Sequence, residues 1–574
     1  MMAIEKLLPG DLPLKKRLRI SVGLAMLLVV MHGFLSSGHL DHPPFYDELY
    51  HLLAAESWRT SGELRILDGE YDRAPLFTKM VALNGYVCGP SLECARRTSV
   101  VAAGILIFSV TVISGTAMHP AVGVLSGVLL ATNTDLVRLA QYVRFYPLHA
   151  LVFTLFAFSI FALVVYGRRL GWAQVAAITL FAAAMFFFSK HLHELTRVGL
   201  LGVIVAAALL LAPSVLRWLV SQKGWVILGL LVIVSALLIW FFQALDIEGH
   251  IERLRSGPAW AQVRAAEHLY YFKHLSSSYP VLWPAAGVLV VLGMIRWPKL
   301  TIYCLAIFSV ILLILSLGAA KNFRYLFFAL PFLVIPMAAG IWVALNVVFN
   351  LTQWMVSQLI GQSVGALWVR LFALGLVFAA ITPLVAVDPA VRGVVRTLVY
   401  PDQAGPFRRA SWFPDWSPVV EDLRNLARDY PVVVSCSGVK AAYYLGDFSF
   451  DLSYSVMMET DTGADFGLDR RTGRQVVSSA DAVARIVRDC GPTLVIVEEQ
   501  HLFEAMVPQA TVDFLDQAGD RTMVTDRLWV WKLKAEYQDS EGAHAENESP
   551  AIKNCRPVGA TDMRGFQSRA GLDQ

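Results

Sequence analysis

Long apolar blocks separated by short polar breaks fill residues 20–386, after which the chain takes on the mixed pattern of a soluble protein. A bilayer core takes about 20 apolar residues per helix. Eleven blocks qualify as spans: 20–37, 97–116, 120–138, 146–166, 171–188, 196–213, 224–243, 280–296, 299–317, 323–348 and 366–387. Residues 20–37 lack a small-residue cleavage site and read as an uncleaved anchor. Beyond 388, PVVVSC (431–436), FSFDLSYSV (448–456), TLVIVEE (493–499) and RLWVWKLK (527–534) have strand character. SADAVARIVRDC (479–490) has helix character, with Ser478 and Asp481 at capping-box spacing. This alternation predicts a small α/β domain. Residues 536–574 are polar and poor in aromatics, so disorder is expected there. The predicted organisation is a membrane domain over 1–387, a soluble domain over 388–535 and a tail over 536–574.

Composition agrees with a polytopic α-helical membrane protein. The chain is 56% hydrophobic and 16% charged, with mean hydropathy +0.54; soluble proteins carry about 25% charged residues. A net charge of +3 gives no nucleic-acid signal. Lys15, Lys16, Arg17 and Arg19, then Arg168 and Arg169, Arg217 and Lys223, Arg296 and Lys299, and Arg370 fall on alternate breaks. The positive-inside rule then puts the N-terminus inside, and segment 38–96 and the α/β domain outside. Of six cysteines, Cys304 lies in a span and is expected as a buried apolar residue. Cys88 with Cys94, and Cys436 with Cys490, are each placed to form a disulfide in an oxidising outer compartment or to remain thiols.

The outer segment 38–96 concentrates groups capable of chemistry, among them Asp41, His42, Asp47, Glu48, His51, Asp68, Glu70, Asp72 and Arg73. YDELYHLLAAESW puts Tyr46, Leu49, Tyr50, Leu53 and Ser57 near one helical side, predicting a helix able to lie along a membrane surface. Asp47 falls at its N-terminal end, where it can cap the helix or act as a base. Glu48 faces another side and reads as a solvated charge or a second acid. Arg144 beside Tyr146, and Lys321 beside Arg324-Tyr325, begin spans at headgroup depth. There they can hold a phosphate or anchor the interface. In SKHLHELTR (189–197), His191, His193 and Glu194 can bind a metal or form a short solvated loop.

The order Asp47-Glu48, Tyr50, Gly62 and then DGEYDRAPLF (68–77) resembles the first periplasmic loop of the lipid A aminoarabinose transferases and the wider protein O-mannosyltransferase-like group, which are GT-C glycosyltransferases. CARRTSVVAAGIL (94–106), VRFYPLHALVFTLF (143–156) and KNFRYLFFALPFL (321–333) extend the resemblance over residues 15–350. It implies a GT-C fold and a polyprenyl-phosphate-sugar donor. Asp47 matches the family's acidic base or acceptor-orienting residue. Asp72 and Arg73 fall where those transferases have Glu-Lys before Pro-Pro; there the acid binds a divalent metal and the base lies near the donor phosphate. Here Asp replaces Glu, and Ala74-Pro75 replaces Pro-Pro. His268, in AEHLYYFKHL (266–275), loosely matches a histidine that completes the metal site.

Chemistry reaches the same class independently. A polyprenyl-phosphate sugar carries a leaving group stable as an anion, so the enzyme needs a base for the acceptor and cations for the phosphate. The expected catalytic residues are Asp47 and Glu48; the expected phosphate ligands are Arg73, Arg144, Lys321, Arg324 and Tyr325; the expected metal ligands are Asp72 and His268. The expected reaction is inverting transfer of one sugar to lipid A, an envelope glycan or a protein, at the outer face of a bacterial inner membrane. Two other classes compete. An oligosaccharyltransferase with a lipid pyrophosphate donor shares the carboxylate logic but normally needs more acidic metal ligands. A lipid or glycan transporter calls for mid-membrane charges and repeated halves.

Overall fold

A computed structural model describes residues 12–38, 40–220, 266–360, 392, 414–453, 465–499, 506–525, 527–534 and 555. Its described residues divide into two compact units, one holding 12–38, 99–220 and 266–360, the other 40–98 and those from 414 onward.

The first unit is helical. Seven of its helices are long and apolar enough to cross a membrane: α1 (Leu14–Ser37), the helix Leu92–Ala117 that enters from the other unit, Tyr146–Arg169, Trp172–Leu192, Thr196–Val215, Pro298–Leu317 and Phe323–Thr352. The chain is therefore an integral membrane protein. Two further expected spans are bent pairs. Pro120–Ala131 with Thr134–Ala140 turns by 62°, and Tyr270–Ser278 with Leu282–Arg296 by 98°. The expected spans 224–243 and 366–387 lie outside the described residues, so nine of the eleven have helical counterparts. Small residues bring these helices together, as bilayer packing requires. A Cβ on Gly340 would lie 1.8 Å from the Leu289 carbonyl oxygen, and one on Gly293 would lie 2.8 Å from that of Pro336.

The second unit is built on a seven-stranded sheet. After the hairpin β1 (Arg65–Ile66) and β2 (Gly69–Glu70), its strands are β3 (Val432–Ser435), β4 (Phe450–Leu452), β5 (Phe466–Leu468), β6 (Gln475–Val477), β7 (Thr493–Glu498), β8 (Gly519–Thr525) and β9 (Leu528–Leu533), in spatial order β5-β6-β4-β3-β7-β9-β8. The β6-β4-β3-β7 centre is parallel and both edges are antiparallel. β7, TLVIVE, is buried throughout because both faces are covered. Leu494 and Ile496 join one core, Val495 and Val497 the other. The second core is closed by helix Ala480–Cys490, with Ala482, Val483, Ile486 and Val487 inward. Its N-cap is Ser479, whose Oγ accepts the Ala482 N–H at 3.1 Å, one residue later than the expected capping box.

The first core is closed in part by the outer segment. Helix α2 (Tyr46–Ser61) contributes Leu49, Tyr50 and Ala54 to the cluster that holds Val433, Leu494 and Ile496. Segment 40–98, expected within the 1–387 domain, thus shares a hydrophobic core with the sheet. A second seam follows the hairpin. The Asp68 N–H donates to the Thr472 carbonyl at 3.2 Å, and Arg474 pairs with Asp68 and Asp447. Gly69 is required here: a Cβ would lie 2.5 Å from backbone atoms of Arg471 and Gly473.

Cys88–Cys94 is a disulfide, one of the two pairings left open by the sequence. The Cys436–Cys490 pairing is not made. Cys490 bonds Cys555, while Cys436 is a buried thiol outside any disulfide whose sulfur accepts the Glu498 N–H at 3.1 Å. Cys304 is also buried and outside any disulfide.

Candidate active site

The residues predicted for the site fall in both units, which are described in turn. In the second unit α2 starts after Phe45, and Asp47 sits in its first turn, half-buried. Acids are favoured there because the N-terminal amide groups point at them. Glu48 supplies the cap: its Oε2 accepts the Phe45 N–H at 2.7 Å. Glu48 is not the solvated charge the sequence suggested. It is fully buried and bound bidentately by Arg96, with Nε to Oε1 at 2.9 Å and Nη2 to Oε2 at 2.8 Å. Arg96 also donates to the carbonyls of Leu40 (2.8 Å), His42 (2.6 Å) and Pro43 (3.2 Å), gathering the turn before α2. Burial pushes the Glu48 carboxyl up, but the Arg96 charge and hydrogen bonds outweigh it and hold the group below its ordinary value.

On the other side of Asp47, Tyr46 and Tyr50 share a hydroxyl–hydroxyl hydrogen bond of 3.1 Å. The Arg471 guanidinium stands 5.1 Å from the Tyr50 ring, which stacks on Tyr71. Asp451, in the middle of β4, and Asp469 belong to the same cluster. Asp451 is 5% exposed and pushed up to about 7, first by burial and then by Asp469, against Arg471 and the Gly438 N–H. Tyr46 is raised well above its ordinary value by burial, with Tyr50 and Asp451 adding to it.

Asp72 and Arg73 are exposed and precede Ala74, whose φ of 48° places a non-glycine residue in the left-handed region. Such a conformation costs about 1–3 kcal/mol and gathers at functional sites. Pro75 then opens the helix Pro75–Cys88.

In the first unit the structure brings Arg144, Arg324 and Tyr325 together around a residue the sequence offered only as a neighbour. The Tyr146 ring lies 5.1 Å from the Arg144 guanidinium carbon and 5.9 Å from that of Arg324. Arg144 donates to the Tyr146 hydroxyl at 3.1 Å, and Arg324 lies 5.3 Å from the Tyr325 ring. Arg144 is 4% exposed; Ser99 Oγ accepts its backbone N–H at 3.1 Å. Tyr146 and Pro147 begin an apolar helix, Tyr146–Tyr166, whose N-terminal dipole adds positive potential. His193, read as part of a metal site or a solvated loop, packs on Phe145, Tyr146, His149 and Tyr325.

Lys321 is elsewhere employed. Its Nζ donates to the carbonyls of Leu315, Ser316 and Gly318, closing the end of helix Pro298–Leu317. His268 Nδ1 donates to the Ser316 carbonyl at 3.3 Å. Among the described residues no group of three or more His, Cys, Asp or Glu could hold a metal ion, so neither Asp72 nor His268 belongs to one.

The helices define a polytopic membrane protein, and comparison with solved structures gives it the GT-C fold. ArnT from Cupriavidus metallidurans bound to undecaprenyl phosphate is 13% identical, with a TM-score of 0.55 over 89% of this chain and 97% of that one. Its apo state is 14% identical, with a TM-score of 0.52 over 89% and 98%. The archaeal oligosaccharyltransferase AglB from Archaeoglobus fulgidus, in complex with an inhibitory peptide and a dolichol-phosphate, is 10% identical, with a TM-score of 0.54 over 87% and 72%. At these identities the likeness is one of fold. No family model and no curated protein matches the sequence.

Proposed function

We propose that the protein is a membrane glycosyltransferase that moves one sugar from a polyprenyl-phosphate donor to an envelope acceptor, with inversion, at the outer face of a bacterial inner membrane. The observation that carries this reading is the pair of guanidinium groups, Arg144 and Arg324, set on one tyrosine at the mouth of an apolar helix. Cations at headgroup depth beside aromatic rings suit an anionic lipid phosphate. Undecaprenyl phosphate in ArnT, of the same fold, supports that choice of lipid. The chain matches 97% of ArnT but 72% of AglB, which favours single-sugar transfer over the oligosaccharyltransferase reading.

In the proposed reaction an acceptor oxygen attacks the anomeric carbon and the carbon–oxygen bond to phosphate breaks. The polyprenyl phosphate leaves as an anion, and the acceptor proton passes to the Asp47 carboxylate. Arg144, Arg324 and Tyr325 receive the growing phosphate charge. Arginine suits this because its planar fork binds two oxygens at once. Glu48, held by Arg96, fixes the turn on which Asp47 stands.

The test is transfer from a labelled polyprenyl-phosphate sugar by the full-length protein in proteoliposomes. Asp47→Asn is expected to lower turnover by about 10²–10⁴-fold without loss of membrane insertion. Transfer near the parent rate would sink the assignment.

A further inference from the structure

His193 joins the two halves of the basic cluster. It follows the helix Trp172–Leu192 in an extended conformation, φ −158° and ψ 140°, and its N–H donates to the Ser189 carbonyl at 3.0 Å. Its ring lies 5.4 Å from Phe145, 6.0 Å from Tyr146 and 6.0 Å from Tyr325, edge-on to the last. Tyr146 is the ring shared by Arg144 and Arg324, so the imidazole borders the same aromatic floor as both guanidiniums.

Two features fix its state. First, Nδ1 accepts the Leu195 N–H at 3.0 Å. A ring nitrogen that accepts carries no proton, so the neutral ring holds its hydrogen on Nε2. Second, His193 stacks at 5.6 Å and 28° on His149, which is fully buried. His149 Nε2 meets Thr196 Oγ1 at 2.9 Å, and that hydroxyl meets Ser189 Oγ at 2.8 Å. A buried polar chain between apolar helices is costly unless it has a use, and here it supports the His193 ring from below.

Resting on the phosphate reading above, we propose that His193 is a further ligand of the donor phosphate, hydrogen-bonding it through Nε2–H as a neutral imidazole, with His149, Thr196 and Ser189 as positioning residues. A neutral donor orients a phosphate oxygen without adding to the positive charge that Arg144 and Arg324 supply. The leaving group thus stays an anion and takes no proton from the ring.

The experiment titrates the full-length, detergent-solubilised protein with undecaprenyl phosphate at pH 6 and pH 8. His193→Ala is expected to weaken binding about tenfold. His193→Gln, whose amide nitrogen can stand near the Nε2 position, is expected to recover most of the loss. The ratio of parent to His193→Ala affinity should be equal at the two pH values. Equal losses in the Ala and Gln variants would refute the donor role, and a loss confined to pH 6 would show a cationic ring instead. Parent-like binding in His193→Ala alongside weakened Arg144→Ala and Arg324→Ala would overturn this proposal and leave the phosphate site standing. Unchanged binding in all three would remove the phosphate site and this proposal with it.

Discussion

Glu48→Gln keeps the shape of the side chain and removes its charge, leaving the Arg96 guanidinium buried without a counter-ion. Both side chains are 0% exposed, and the pair makes two hydrogen bonds of 2.8–2.9 Å. Breaking one partner of such a pair costs about 3–5 kcal/mol, because the survivor's desolvation is no longer offset. The other Arg96 contacts, to the carbonyls of Leu40, His42 and Pro43, reduce that cost without cancelling a charge. In a unit of this size each kcal/mol moves the melting temperature by about 2–4 °C, so a fall of about 6–20 °C is expected. The assay is thermal unfolding of the purified protein in detergent at pH 7. The parent carries a matching acid signature. The folded Glu48 carboxyl titrates below its ordinary 4.5, so its contribution is complete above that value and disappears as the pH falls through the folded value. Glu48→Gln should therefore flatten the acid limb of the stability curve. A shift under about 2 °C at pH 7, with the acid limb retained, would refute the argument, since stability differences of that size lie within about 1 kcal/mol.

Asp451 titrates in the opposite sense: with its folded value raised from 3.8 to about 7, stability falls as pH rises between those values and is level above them. Asp451→Asn should then raise the melting temperature more at pH 8 than at pH 4, and an equal gain at both would count against the burial argument. Gly69→Ala forces a methyl group against the Arg471 and Gly473 backbone and should cost about 1–3 kcal/mol by thermal unfolding; an unshifted melting curve would show that the hairpin seam does not bear on stability. Asp520→Cys, at an exposed position, should react with an impermeant thiol reagent in intact cells, against a low background because Cys304 and Cys436 are buried and the other cysteines are paired. Protection of that thiol until the membrane is opened would put the sheet on the inner side.

What the sequence disclosed and what it hid follow the range of the interactions involved. Apolar blocks are local properties, so the spans through Leu14–Ser37, Tyr146–Arg169 and Pro298–Leu317 were legible. The bends of 62° and 98° were not, because a break of a few residues hardly changes a hydropathy average. In the second unit the well-buried β7 and β9 were legible, whereas the three-residue strands β5 and β6 carry too little pattern to register. Pairings across the chain were the least visible. Arg96 looked like one more basic residue at a span entry, and its partner stands 48 residues away. Cys490 found Cys555 inside a stretch read as tail, not Cys436, whose thiol is turned into the sheet. Arg144, Arg324 and Tyr325 were named from their places at span ends. His193 was seen, but its tautomer and aromatic neighbours exist only after three separate segments meet.

The neighbouring acids of α2 show why residue type alone could not assign roles. Successive helical positions point about 100° apart, so Asp47 and Glu48 enter different surroundings although one bond in the chain joins them. Glu48 meets a guanidinium with a matching fork and loses all exposure; its charge serves to hold the backbone from Leu40 to Phe45. Asp47 stays half-exposed at the positive end of the helix, between that anchor and the Tyr46–Tyr50 pair. A base must reach its substrate and return to the ionised form after each turnover. Of the two carboxylates only Asp47 keeps access to solvent, and the burial of Glu48 is what holds the turn beneath it still. In the proposed reaction the two residues divide one task, so exchanging them in the double variant Asp47→Glu with Glu48→Asp should fail on both counts. The shorter acid could not span to Arg96, and the longer one would stand on a loosened turn.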